Sequence, residues 1–243
     1  MKMRKILLGS LLALCSLSAN AQEKYFLPAG AEAARPDAEG FIRRWTVLEP
    51  ISKPNRSNTV FTDSYLREVF GREYFPKQMS LVPKDGQKVK AVFEKVEQPA
   101  DYRRAPQGPQ KVITGTEKLT WHKLDSKTYN LKLMRFGEHH LKRLYGVIYW
   151  VVTVIHCDAA MHDVRLSVGS NSASQWWLNG SEVLLLSGDR RMVADDCMSH
   201  RLHLNEGDNV IRGAIINGPG MSDFCVRLVD EDGKPITSGY TIR

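Results

Sequence analysis

Residues 166–183 read LSVGSNSASQWWLNGSEV, and this stretch decides the fold. The segments 175–178 and 182–186 are rich in residues that fit a pleated sheet, and only a short polar turn centred on Asn179-Gly180 separates them. Asn-Gly tolerates the positive φ values that a two-residue type I′ turn demands, so the spacing predicts a tight hairpin. Working downstream, 199–204 alternates, Glu206-Gly207-Asp208-Asn209 turns, 210–216 forms an apolar strand, 217–220 loops, 224–229 closes the sheet and 230–233 turns again. Upstream, 145–156 (YGVIYWVVTVIH) has the length and the β-branched and aromatic density of a long central strand. Residues 164–168 form another strand, stopped by Gly169 and the loop Ser170-Asn171-Ser172. Short strands at this spacing, separated by Gly and Asn turns, predict a β-sandwich.

The first half of the chain is less regular. FIRRWTVLEPI (41–51) reads as a strand carrying Trp45, Val47 and Leu48 and ending at Pro50. Residues 64–70 are the one helix expected, capped by Ser64 or Asp63, with Leu66, Val69 and Phe70 at helical spacing. Strands are expected at 89–96, 119–124 and 129–136, with a proline-rich loop at 99–109. Residues 22–40 lack periodicity and read as a flexible tether, leaving 41–243 as a single domain. At the start, Lys2, Arg4 and Lys5, the apolar run 6–17 and Ala19-Asn20-Ala21 have the form of a signal peptide over 1–21. The expectation is therefore export, to a secreted or periplasmic location, with no transmembrane segment. Loss of the three basic leader residues lowers the formal charge from +7 to +4. The basic residues form short groups such as Arg43-Arg44 and Arg190-Arg191 rather than a stripe, so no nucleic-acid partner is expected. Removal of the leader also takes Cys15, leaving Cys157, Cys197 and Cys225, an odd set that permits one disulfide at most.

The run LSVGSNSASQWWLNGSEV, then Arg190, Asp195-Asp196, LHLNEGDNVIRGAIIN and FCVRLVDEDGKPI, resembles the galactose-binding-domain-like jelly rolls attached to polysaccharide-degrading enzymes. The resemblance covers about 41–236, with WTVLEPI and Trp121 as entry strands, and is sharpest from 145 onward. It implies an all-β jelly-roll sandwich, here with one short helix near its N-terminal part. It also implies an accessory module of glycosidases or of acetylxylan and related carbohydrate esterases, often non-catalytic. Related modules carry acidic residues in the loop after the Gly-Ser pair, where carboxylates hold calcium. Here that loop reads Ser170-Asn171-Ser172, and neutral oxygens are poor ligands for a hard cation.

A search for chemistry adds little. There is no G-x-S-x-G nucleophile elbow, although a carboxylate pair brought together by the fold would leave no local motif. Cys197, His200 and His203 would share a face on a helix but diverge on a strand, and His139-His140 reads as a solvated turn. No catalytic residue, cofactor or metal is therefore expected. Aromatic residues carry the functional expectation, because the apolar C–H faces of sugars stack on exposed rings. Strand alternation sends Trp176 and Trp177 to opposite faces. The expected ligand site has Trp176 as platform and Asn171, Arg190, Asp195 and Asn217 as its polar part, binding a polysaccharide or oligosaccharide beside a carbohydrate-active enzyme. The alternatives are a structural, protein-interacting jelly roll and a hydrolase with a dispersed site.

Overall fold

The computed structural model describes residues 24–54, 61–97, 111–218 and 220–243. The expected signal peptide and the proline-rich loop 99–109 lie outside them. The chain forms two antiparallel sheets. The larger, of ten strands, follows the order β1 (Phe26–Pro28), β5 (Val112–Ser126), β2 (Arg44–Leu48), β7 (Val147–Cys157), β13 (Gly207–Asn217), β9 (Ala173–Leu178) and β10 (Ser181–Leu186). On its flanks β3 (Ile51–Ser52) and β15 (Tyr240–Ile242) pair with β7, and β4 (Lys88–Val96) pairs with β5. The smaller sheet runs β11 (Cys197–Met198), β8 (Met161–Ser170), β14 (Asp223–Val229) and β6 (Leu131–Lys132), with β12 (Leu202–Leu204) also on β8. The all-β sandwich expected from the strand spacing is the observed architecture.

The central strand β7 explains why its sequence is apolar almost without a break. Successive side chains on a strand point to opposite faces, and here both faces are covered. Val147, Tyr149, Val151 and Ile155 enter the core between the sheets, together with Trp45, Leu166, Ile215 and Phe224. Ile148, Trp150 and Val152 enter a second core on the outer face of the large sheet. That core is closed by α1 (Asp63–Gly71), which contributes Leu66, Val69 and Phe70, and by Tyr74 and Phe75 beyond it. The cover is tied down by Arg212 on β13, a buried side chain whose Nη2 donates to the Leu81 carbonyl at 2.8 Å. Burial lowers the pKa of that guanidinium to about 10.

The Asn179-Gly180 turn is present. Leu178 faces Ser181 in the β9–β10 register, and Asn179 and Gly180 have φ of 50° and 87°. The Asn179 side chain also fastens the hairpin to its neighbour: Nδ2 donates to Asn209 Oδ1 at 2.9 Å, and Oδ1 accepts the Val210 N–H at 2.8 Å. A Cβ on Gly180 would meet nothing within 4 Å, so a substitution there tests backbone strain alone. Gly180→Val is expected to destabilise the protein by about 1–3 kcal/mol in a urea melt, and an unchanged midpoint would contradict the turn.

Three local expectations are corrected. The described part of the tether, 24–40, is packed on the domain rather than loose. There β1 pairs with β5, Ala34 bridges Ile242, and the Asp37 carboxylate caps the N–H groups of Glu39 and Phe41. A three-residue strand and single bridges are too short to leave a periodic pattern. The strand expected at 129–136 is two residues of β6 followed by a second helix, α2 (Leu133–His139). Its buried Leu133, Phe136 and Gly137 have helical spacing, but no side chain caps its start, so the usual N-terminal signal is missing. The cap of α1 is Thr62, whose Oγ1 accepts the Tyr65 N–H, one residue before the expected pair. Among the described residues Cys157, Cys197 and Cys225 are free thiols, and burial pushes that of Cys225 up to about 12.

Candidate functional site

The five residues expected to form a ligand site are placed as structural partners. Trp176, the expected platform, is fully buried. Its ring meets Trp45 edge-on at 5.9 Å and Phe224 at 5.2 Å, and its Nε1 donates to Ser174 Oγ at 3.0 Å, so no ring face is left for a ligand. Trp177 does point the other way, as alternation requires, but into the second core, stacked on Trp150 at 5.7 Å. Arg190 grips Asp196 through Nε and Nη2 at 2.8 and 2.5 Å. Asp195 is held by Ser167 Oγ at 2.5 Å and by Arg227 Nε at 2.9 Å. Burial pushes its carboxyl upward, but these donors outweigh it and leave the pKa below the ordinary value. Asn217 is buried and its Nδ2 donates to the Leu144 carbonyl, while the N–H of half-buried Asn171 donates to the Asp223 carbonyl at 2.9 Å. Arg190 and Asp195 thus brace the loop between β10 and β11, and Asn171 and Asn217 brace two others.

A groove opens instead on the outer face of the large sheet. Val82-Pro83-Lys84-Asp85 of the covering segment stand beside it, with Thr46 of β2 and Val152 and Val154 of β7 as the floor. The space measures about 440 Å³, and Lys84, Asp85, Lys123, Asp208 and Arg243 stand around it. On one side Arg243 Nη1 meets Asp208 Oδ2 at 2.9 Å, while Asp208 Oδ1 lies 2.6 Å from His156 Nδ1. On the other, Asp85 accepts the Lys123 N–H at 2.8 Å. A mostly apolar floor inside a charged rim that includes the Arg243–Asp208 pair suits a ligand that is apolar on its faces and polar at its edges.

A second constellation lies at the end of β2. The register Leu48↔Trp121 places Glu49 opposite Thr120, and the Glu49 Oε2 accepts both the Thr120 N–H and Lys142 Nζ at 3.0 Å. Its other oxygen faces His122 Nε2 at 3.4 Å. His140, just past α2, stacks on His122 with ring centroids 3.9 Å apart and packs on Phe136. Burial, followed by the neighbouring His122 and His139, lowers the His140 pKa to about 4, so its imidazole is neutral at pH 7. Burial works against the Glu49 carboxylate, yet Lys142, the Thr120 N–H and His122 together bring its pKa below the ordinary value. One ligand atom from each of Glu49, His122 and His140 lies within 4.8 Å of the others. His140 is thus half-buried in a cluster and not part of a solvated turn. Glu49 and His122 are separated by 73 residues, so no local spacing in the sequence signals the group.

No protein-family model matches the chain, and no curated protein matches it.

Proposed function

We propose that this chain is an exported, non-catalytic module of the galactose-binding-domain-like jelly-roll kind, which holds polysaccharide for a carbohydrate-active enzyme in the groove over Thr46, Val152 and Val154. The groove itself carries the reading. Its volume lies in the range of roughly 300–1,000 Å³ usual for small-ligand sites, and its lining is divided as a sugar requires. The C–H face of a sugar ring can rest on the valine floor, while an Arg–Asp pair such as Arg243–Asp208 offers donors and acceptors side by side for neighbouring hydroxyls. The resemblance to carbohydrate-linked modules adds support, although Trp176, the platform expected from aromatic stacking and strand alternation, is buried.

The test is affinity electrophoresis of the protein in gels containing xylan and related polysaccharides. The wild type should be retarded by at least one of them. The double variant Asp208→Ala/Arg243→Ala removes both members of an exposed pair, so its thermal midpoint should barely move. Its binding should weaken roughly tenfold or more, as expected for loss of charge-assisted hydrogen bonds of about 1.5–3 kcal/mol. Absence of retardation by every polysaccharide would remove the glycan reading. Equal retardation of the double variant would move the site out of the groove.

A further inference from the structure

The geometry points to a binding site for a divalent transition cation of the zinc class at Glu49, His122 and His140, separate from the groove and independent of what the groove binds. Zinc takes imidazole nitrogen and carboxylate oxygen at about 2.0–2.2 Å in tetrahedral array, which sets neighbouring ligand atoms about 3.3 Å apart. Glu49 Oε1 and His122 Nε2 are separated by 3.4 Å. That distance is long for an N–H···O hydrogen bond, for which 2.7–3.2 Å is usual, but it matches two ligands of one metal. His140 completes the triangle within 4.8 Å; its ring is stacked on His122 at 3.9 Å, so the two imidazoles must tilt apart to aim their in-plane lone pairs at one ion.

The surroundings orient the carboxylate as ligating carboxylates usually are oriented. Lys142 Nζ and the Thr120 N–H hold Glu49 Oε2, which turns Oε1 toward the imidazoles. Two imidazoles and one carboxylate suit zinc over calcium or magnesium, which prefer oxygen throughout. His122 and His140 are each half-buried, so the cation can enter from solvent and three protein ligands leave a fourth position for water.

Calorimetric titration of the metal-free protein with zinc chloride tests the site. The surface also carries an exposed pair, His162 and His203, with Nδ1 atoms 3.1 Å apart, so the experiment must separate the two places. The expected result is one equivalent of zinc bound by the wild type, unchanged in His203→Ala. In His140→Phe, which keeps a ring against His122 and Phe136 while removing both nitrogens, affinity should fall by more than the roughly 10–100-fold typical of losing a residue that only orients a ligand. Circular dichroism checks that each variant is folded. Should His140→Phe fail to fold, Glu49→Gln is the second variant, with weaker zinc binding expected and the visible absorption of bound Co²⁺ altered. Either of two results would overturn the site: no zinc taken up by the wild type, or undiminished zinc affinity in the folded Glu49 or His140 variant, whatever His203→Ala does.

Discussion

Trp176→Ala is expected to lower the free energy of unfolding by about 3–5 kcal/mol, enough to take a large part of the stability of a domain this size. The residue is fully buried at the centre of the sandwich, where its indole meets Trp45 and Phe224 from strands of both sheets. Truncation would remove those edge-to-face contacts, open a cavity between the layers and leave Ser174 Oγ without the indole donor it has at 3.0 Å. Chemical denaturation followed by fluorescence or circular dichroism gives the measurement. A loss below about 1 kcal/mol would mean that the ring is not the core element described.

The second large effect comes from the strand beneath that ring. Gly213 on β13 stands opposite Trp176 in the β13–β9 register, and a Cβ built on it would lie 2.5–2.8 Å from three carbons of the indole. Gly213→Ala should therefore cost about 1–3 kcal/mol through overpacking, despite the better sheet propensity of alanine. The interaction can be isolated by a double-mutant cycle. Because Trp176→Ala removes the atoms that the new methyl would strike, Trp176→Ala/Gly213→Ala should be less destabilised than the sum of the single variants by roughly 0.5–3 kcal/mol. Strict additivity would show that the cost of Gly213→Ala has another origin.

These two residues also show how far the sequence could be read. Glycine within an apolar strand gives notice that another group approaches the backbone closely, but it does not name the group. Alternation sends Trp176 and Trp177 to opposite faces, as observed, but neither ring is exposed because both faces are covered. A strand with one solvated face declares its orientation through polar residues. On this sheet α1 and the segment beyond it cover the second face, so β9 and most of β7 are buried on both sides, and polar residues such as Ser174 and Gln175 do not mark a solvated face. Loops often carry binding residues, but here Arg190, Asp195 and Asn217 spend their hydrogen bonds on their own scaffold.

By itself the sequence determined the all-β class, the long central strand, the Asn179-Gly180 turn and the helix at α1, because each is written in neighbouring residues: a run of β-formers, a dipeptide suited to positive φ, an apolar stripe at helical spacing. Only the tertiary structure decided what the exposed chemistry is. The groove lies where residues 82–85 stand beside β2 and β7, and Glu49, His122 and His140 meet because β2 and β5 pair in one register with α2 ending beside them. Those groups are brought together by pairing between distant strands, and the energy that sets that pairing is spread over two cores rather than held in any local pattern.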